Sequence, residues 1–470
     1  MRKSLIGFTV LAVASVLFLF CGAAAVNEGR DDITVTEVTL AGDPAEAAGL
    51  HTTVVLNEDR RLYWTTDYDV SADPQPETVF AYYQTRRRQS GGEYQKDAHL
   101  SLGSVGFGMS GHIDLEQELA YMHQSRHGNT MLLLPVIDLA SRVGAGESVT
   151  EILNLRDYYE YYPVYLECGW AGMENFDEVR LAHWDLYQEY FRIPVTGYEK
   201  IEVSVTKDEE GRVVDVSCNT YYPEEKPEEA ADVYTYTASV VTDDAVYLVL
   251  HGTHDYSQIK GGYGVYRIPI EYYDSYGDRS FSEPQASVEI GKIENIYPLD
   301  LERSEDYRLY EGVTENELLL FEQRGDHVTV LVMDTATYQV RQEIDLDTEI
   351  IPEVWYHENL VIMGTTDYGK PHGRLQILLC EDGAYDLWLD TDFYPLNDEG
   401  YFYYEPVFCF DGARFAMAAF HEVYNTASHR ITVYDKTGLI YAGDYHMNSD
   451  ELTQPLRNYN WDGPLRLNWK

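Results

Sequence analysis

Basic residues are scarce in this chain, and so is cysteine. Among 470 residues there are 34 Lys+Arg against 80 Asp+Glu, a formal charge of −46. A field of that sign repels phosphates, which excludes nucleic acid as an expected partner and disfavours unaided adsorption to anionic lipid. The 5 cysteines include no CxxC pair and no Cys/His cluster, so a structural zinc site is not expected. No glycine-rich segment carries the lysine of a phosphate-binding loop. Gly144-Ala-Gly146-Glu-Ser148 lacks it, and Gly108-Met-Ser110-Gly111-His112 lacks the second glycine of a serine nucleophile elbow. Both read as turns. Arg86-Arg-Arg88 is the one basic cluster, and it reads as a solvated turn or an internal partner for acidic strands.

What the chain does have is apolar content and tyrosine. Apolar residues make up 44%, enough to fill a core, and there are 41 Tyr against 15 Phe. Tyrosine suits half-buried pleated surfaces, where the ring packs and the hydroxyl reaches a polar partner.

The N-terminus carries the longest apolar run. Arg2 and Lys3 precede an uncharged stretch from Leu5 to Val26, followed by Glu28, Asp31 and Asp32. As a helix this stretch spans about 33 Å, close to the hydrocarbon thickness of a bilayer. The charge order places the N-terminus inside and the remainder outside. Ala23-Ala-Ala25 also satisfies a secretory signal peptide, and Cys21 a lipidation site, although Phe20 is a poor residue to precede it. The length favours a retained anchor. The expected localisation is therefore the cell membrane, single-pass with the bulk outside, or secretion.

Residues 1–26 are thus expected as signal or transmembrane helix, 27–50 as a linker with a possible ring-closing strand, and 51–470 as the main domain. The four remaining cysteines, Cys168, Cys218, Cys380 and Cys409, lie in apolar or alternating runs. They allow two disulfides in three pairings, or buried thiols. The absence of a compact spacing favours thiols.

A repeat organises the C-terminal half. Glu317–Phe321 precedes His327–Asp334, the turn Thr335-Ala-Thr337 and Tyr338–Ile344. Asn359–Met363 precedes Arg374–Leu379, the turn Glu381-Asp-Gly383 and Tyr385–Leu389. Ala413–Met417 precedes Arg430–Asp435, the turn Lys436-Thr-Gly438 and Leu439–Tyr441, and a weaker copy runs from Ala245–Leu250 to Gly264–Ile268. Each unit reads as a buried strand, a variable loop, a second strand ending near an acidic residue, a tight turn and an outer strand. Recurrence at roughly 40–70 residues is the range of four-stranded propeller blades.

In the N-terminal half, His51–Tyr68 with Thr78–Thr85, and Lys200–Lys207 with Arg212–Thr220, read as hairpins. Ile113–Gln124 reads as a short amphipathic helix, Thr130–Leu139 as a buried strand, and Glu224–Asp232 as an acidic linker. Pro464–Trp469 is expected to pair with an early strand such as Ile33–Leu40 and close the ring. The expected fold is all-β: a β-propeller of six to eight blades, seven being central, behind an N-terminal helix.

With its anchor segment, the Gly42-Asp-Pro…Gly49 connector and this repeat, the chain resembles uncharacterised membrane-anchored extracytoplasmic propeller-like proteins of Gram-positive bacteria. The resemblance covers most of the chain loosely and implies no known active site.

Two constellations carry possible metal chemistry. His251-Gly-Thr-His254-Asp255 places two imidazoles and a carboxylate near a strand end, a donor set for zinc, though without the helical spacing of metalloproteases. Asp390-Thr-Asp392 and Asn397-Asp398-Glu-Gly400 offer oxygen ligands for weak Ca2+ binding, outside the EF-hand spacing. No catalytic residue or cofactor is expected. Three roles follow: a non-enzymatic binding or sensory domain for an extracytoplasmic protein or glycan, a polysaccharide hydrolase or lyase, and a cation-stabilised surface module. A hydrolase requires carboxylates with raised pKa at a convergent site.

Overall fold

A computed structural model describes residues 13–16, 18, 21, 33–58, 62–82, 97–102, 106–115, 117, 133–161, 164–169, 191, 195, 200–221, 233–242, 244–252, 261–273, 285–288, 290–300, 304, 306–365, 373–394, 406–420, 427–448, 454–455 and 465–470. The fold is nearly all β, built from antiparallel sheets. It divides into two compact units, one made of residues 1–92 with 352–470 and the other of residues 93–351.

The first unit holds three sheets. The Trp64 sheet runs Leu50–Glu58, Leu62–Asp69, Glu77–Tyr82, with Gln454–Pro455 and Leu465–Trp469 both pairing to Leu50–Glu58. The Ile377 sheet runs in chain order through Glu353–His357, Leu360–Gly364, Gly373–Glu381 and Ala384–Phe393. The Phe415 sheet runs through Val407–Phe410, Phe415–Phe420, Ala427–Asp435 and Gly438–Asn448, and Thr34–Gly42 adds to its outer edge.

The apolar run Phe415–Phe420 shows why such strands read as continuous rather than alternating. Every residue in it is buried. Phe415, Met417 and Ala419 pack with Leu360, Ile362 and Ile377 of the Ile377 sheet. Ala416, Ala418 and Phe420 point the other way and pack with Val54, Leu56 and Trp64. Successive side chains leave a strand on opposite faces, so a sheet sandwiched between two others needs apolar residues at both parities.

The second unit repeats this layering. The Val205 sheet is ordered Gly106–Ile113, Val213–Tyr221, Lys200–Lys207, Ser148–Asn154. The Tyr247 sheet comprises Val233–Val241, Ala245–Gly252, Gly264–Tyr273, Gln285–Val288 and Glu294–Pro298. The Leu320 sheet comprises Asp306–Glu311, Glu317–Arg324, His327–Asp334 and Val340–Leu346. Val246, Leu248 and Leu250 pack with Val203, Val205 and Val216 on one side. Ala245, Tyr247 and Val249 pack with Leu318, Leu320 and Leu331 on the other. A two-stranded sheet, Asp97–Leu102 with Val164–Gly169, completes the unit.

The repeat strands anticipated from the sequence are present, and each acquires an extra first strand (Asp306–Glu311, Glu353–His357, Val407–Phe410, Val233–Val241). Three of them are short and only partly buried, which weakens their pattern: Asp306–Glu311, Val407–Phe410 and Glu353–His357, the last with no buried residue. Both N-terminal hairpins are also present. The described residues therefore contain six sheets of four or five strands besides the two-stranded one.

Two expectations are corrected. Thr130–Leu139 is not a strand: Leu133–Arg142 is an α-helix. Val136, Leu139, Ala140 and Val143 are buried against Ile201, Val203 and Val205. That spacing of three, four and seven is one helical face, and Pro135 cannot sit in the middle of a ladder. The C-terminal strand does pair with an early strand, but its partner differs from the one expected: Leu465–Trp469 pairs with Leu50–Val54, while Thr34–Gly42 pairs with Gly438–Asn448.

Ile113 ends a strand, and most of the helix expected after it lies outside the described residues, as do 222–232. Of 1–26, only 13–16, 18 and 21 are described, and no helix among the described residues is long and apolar enough to cross a membrane. Cys218, Cys380 and Cys409 are buried free thiols, and burial pushes Cys218 and Cys409 up to about 11.

Candidate functional site

The densest set of buried polar side chains in the first unit lies where the Trp64 and Phe415 sheets face each other. Tyr68, on Leu62–Asp69, is hydrogen-bonded through its hydroxyl to Nε2 of His429, on Ala427–Asp435. The Tyr445 ring stacks on both, with centroids 5.4 Å from Tyr68 and 5.8 Å from His429. Tyr445 shares a 2.7 Å hydroxyl contact with Tyr441, which donates to Glu37 Oε1 at 3.0 Å. A chain of hydrogen bonds and ring stacking thus runs from the N-terminal strand into the core. Burial raises the pKa of Tyr68, and the neighbouring Tyr445 adds to it. Burial likewise raises Tyr441 and Tyr445. The three phenols stay protonated at physiological pH, so they serve as hydrogen-bond donors and packing rings.

Next to them lies an ion pair. Arg430 donates from Nε to Asp444 Oδ1 at 2.7 Å and from a terminal nitrogen to Oδ2 at 3.0 Å. Both residues are buried, and the Tyr394 ring lies 5.9 Å from the guanidinium carbon. The pair has counterparts. Thr329 donates to Asp345 at 2.9 Å, and Gln376 stands opposite Asp390 in register. In each sheet the polar residue lies five positions before the acid closing its strand, Asp334, Glu381 or Asp435, and faces an aspartate on the next strand. This internal repeat was hidden because the polar residue differs every time.

Of the sequence-derived metal candidates, His251, Asp390 and Asp392 lie among the described residues. His251 is 3% exposed, with Nε2 at 3.5 Å from Asp306 Oδ1 and its ring edge-on to Tyr307 at 5.5 Å. Burial pushes the Asp306 carboxyl up, but His251 and the Tyr307 N–H outweigh it and hold it below its ordinary value. Burial pushes Tyr307 up to about 12. His254 and Asp255 lie outside the described residues, as does Asp398. Asp390 accepts from Arg374 Nε at 2.5 Å, and Asp392 stands opposite Arg374 on an exposed stretch of strand. Among the described residues, no group of three or more His, Cys, Asp or Glu is placed to hold a metal ion.

Ser110 lies on a strand and donates to Asp215 at 2.9 Å, and Gly144–Gly146 forms the turn before Ser148–Asn154. Arg86–Arg88 lies outside the described residues. The network around His429 was missed in the sequence, because Ser428-His429-Arg430 and Asp444-Tyr445-His446 look like loop composition at the ends of shorter strands.

No family model matches this chain, and no curated protein matches it. Solved structures with similarity include TolB from Acinetobacter baumannii, at 8% identity and TM-score 0.24, over 90% of this chain and 84% of that one. The β-propeller domain of the trilobed protease from Pyrococcus furiosus matches at 12% identity and TM-score 0.19, over 45% of this chain and 71% of that one. A prolyl oligopeptidase B from Galerina marginata matches at 12% identity and TM-score 0.21, over 62% of this chain. The match spans 32% of that enzyme. Superposition at these scores is too loose to transfer a residue or an activity, and the description of the fold rests on the sheets themselves.

Proposed function

We propose that this chain is an extracytoplasmic binding domain of the β-propeller type, held at or exported across a membrane by its N-terminal apolar segment. Its ligand is an extracytoplasmic protein or a glycan. Successive up-and-down antiparallel sheets stacked face to face are the construction unit of propellers, and a propeller presents its connecting loops as a binding surface. The apolar run from Leu5 to Val26 between positive and negative flanks supports the location.

The observation that supports binding over hydrolysis is the direction of the carboxylate shifts among the described residues. Those with a shifted pKa, Asp69, Asp138, Asp208, Asp244, Asp306, Asp334, Asp411 and Asp435, all sit below their ordinary value. Asp69 is held there by Lys470 and His51, Asp334 by the Thr337 N–H and hydroxyl, and Asp435 by the Thr437 hydroxyl and N–H. A general acid for glycoside cleavage needs the opposite shift.

Thermal unfolding of the full-length chain with envelope glycans, candidate protein partners and divalent cations tests this reading. Selective stabilisation by one glycan or protein, with that ligand recovered intact, is the expected result, since a ligand of the native state stabilises it by mass action. Cleavage of a stabilising glycan would replace binding by catalysis. Stabilisation by a cation alone would make the domain a cation-dependent structural module.

A further inference from the structure

The N-terminal strand differs from the other strands of its sheet in how it is held. Thr34–Gly42 lies on the outer edge, paired on one side only, to Gly438–Asn448. Of its residues only Val35 is buried, with Ile33 just before it, while Val38 is 46% and Leu40 37% exposed. The register slips between Thr39 and Ala41. Along its middle, Glu37 accepts from Tyr441.

Beyond Gly42 the attachment changes. Asp43 N donates to Ile440 O at 3.4 Å. Pro44–Ala47 forms a 3-10 turn capped by Asp43, whose Oδ1 accepts from Ala45 N at 2.9 Å. Arg414 reaches this turn from the Phe415 sheet. Its Nη1 donates to Glu46 O at 2.8 Å and to Ala48 O at 3.2 Å, and its Nε donates to Asp411 at 3.0 Å. The guanidinium also lies 3.9 Å from the centre of the Trp469 ring. Ala47 and Leu50, on either side of the second clamped carbonyl, are fully buried.

We infer that Thr34–Gly42 is a releasable latch, and that Arg414 is the stop at which its release ends. Local opening follows the element with the least buried apolar surface and the most exposed backbone pairing. Here that element ends at Gly42. The next segment is pinned by one guanidinium that binds the connector, the turn at Asp411 and the C-terminal strand together. Release bares the outer edge of Gly438–Asn448 and leaves the layers below intact. The segment preceding the latch is the N-terminal apolar stretch, so movement of that stretch reaches the domain through this strand.

Hydrogen exchange on the full chain tests the inference. Backbone amides of 34–42, and those of 438–448 that pair with them, are expected to exchange at one common rate. That rate should exceed the rate of the 427–435 ladder about ten-fold or more, with amides of 45–48 remaining in the slow set. Gly42→Ala should quicken the latch alone, because its Cβ would lie 1.9 Å from Ile440 O. Arg414→Ala, or Arg414→Lys if the first variant does not fold, should move 45–48 into the fast set. The inference is overturned if the latch exchanges only with the central strands. It is equally overturned if 45–48 opens with the latch in the unaltered chain, or if neither Arg414 variant changes 45–48.

Discussion

Among single residues, the costs of substitution are set by burial of charge and of aromatic rings. Arg430 and Asp444 form a buried two-point pair, and removing one partner leaves the other uncompensated. Asp444→Ala is expected to destabilise the chain by about 3–5 kcal/mol, whereas the double change Arg430→Met with Asp444→Leu should cost far less. Urea titrations of the two variants check both values. Tyr68→Phe keeps the ring stacked on Tyr445 but loses the hydroxyl bond to His429. About 1–3 kcal/mol is expected, since the buried imidazole then has one partner fewer.

Little of this was legible in the sequence, because polar residues inside a strand carry the same letters as a loop. Arg430 was read as the first residue of its strand and His429 as the end of a variable connection, yet the pairing begins earlier, at Ala427. His251 was read only within its own segment, and the carboxylate it faces, Asp306, comes from the next sheet, which no local spacing shows.

Among elements, legibility followed the number of buried faces. Strands covered by a sheet on each face, such as Phe415–Phe420 and Ala245–Leu250, are buried at every position and stood out as apolar runs. The Lys200–Lys207 and Val213–Tyr221 hairpin was legible through its turn, where Asp208 accepts from the Arg212 N–H at 2.8 Å and Gly211 has φ 81°. The first strands Asp306–Glu311, Glu353–His357 and Val407–Phe410 were not legible, since they are short and their faces only partly covered. The helix Leu133–Arg142 was misread because its apolar residues are dense enough to look like a strand unless their spacing is counted. Arg142 ties its exposed face to Asp138 at 3.2 Å and to Glu151 at 2.8 Å. Val136→Asp, on the fully buried face, is expected to detach the helix from the Val205 sheet. Loss of helical circular dichroism together with early melting would show it.

At the scale of the whole molecule, two sets of protons bound the pH range of stability. Carboxylates such as Asp334, Asp411 and Asp435 titrate lower in the folded chain than in the unfolded one. Their contribution is present above the ordinary carboxylate value of about 4 and is lost as pH falls through the folded values. Melting temperature is therefore expected to drop below about pH 4. Tyr68, Tyr434, Tyr441 and Tyr445 titrate higher when folded. Their contribution is complete below the ordinary tyrosine value of about 10 and is lost as pH rises through the folded values. In an alkaline absorbance titration these phenols should ionise only together with unfolding. At neutral pH the charge of −46 opposes compaction, so moderate salt should raise the melting temperature.

A binding surface built from loops requires fixed sheets beneath it, and in the first unit both terminal strands are part of those sheets. Each terminus completes a sheet begun elsewhere in the chain, Thr34–Gly42 on the last sheet and Leu465–Trp469 on the first. From the sequence, Pro464–Trp469 was expected to pair with an early strand, with Ile33–Leu40 as the example; the early strand is Leu50–Val54, and alternation alone does not choose between the two. Cysteine pairs placed by register decide between these arrangements, since a disulfide forms only where the Cα atoms approach within about 7 Å. Thr36→Cys with His446→Cys, and Thr53→Cys with Arg466→Cys, occupy facing positions. Peptide mapping after mild oxidation is expected to show both intramolecular disulfides, and none in the chain carrying Thr36→Cys with Arg466→Cys. A disulfide between positions 36 and 466, with the other two pairs unlinked, would contradict the exchange of termini and return the chain to the closure its sequence first suggested.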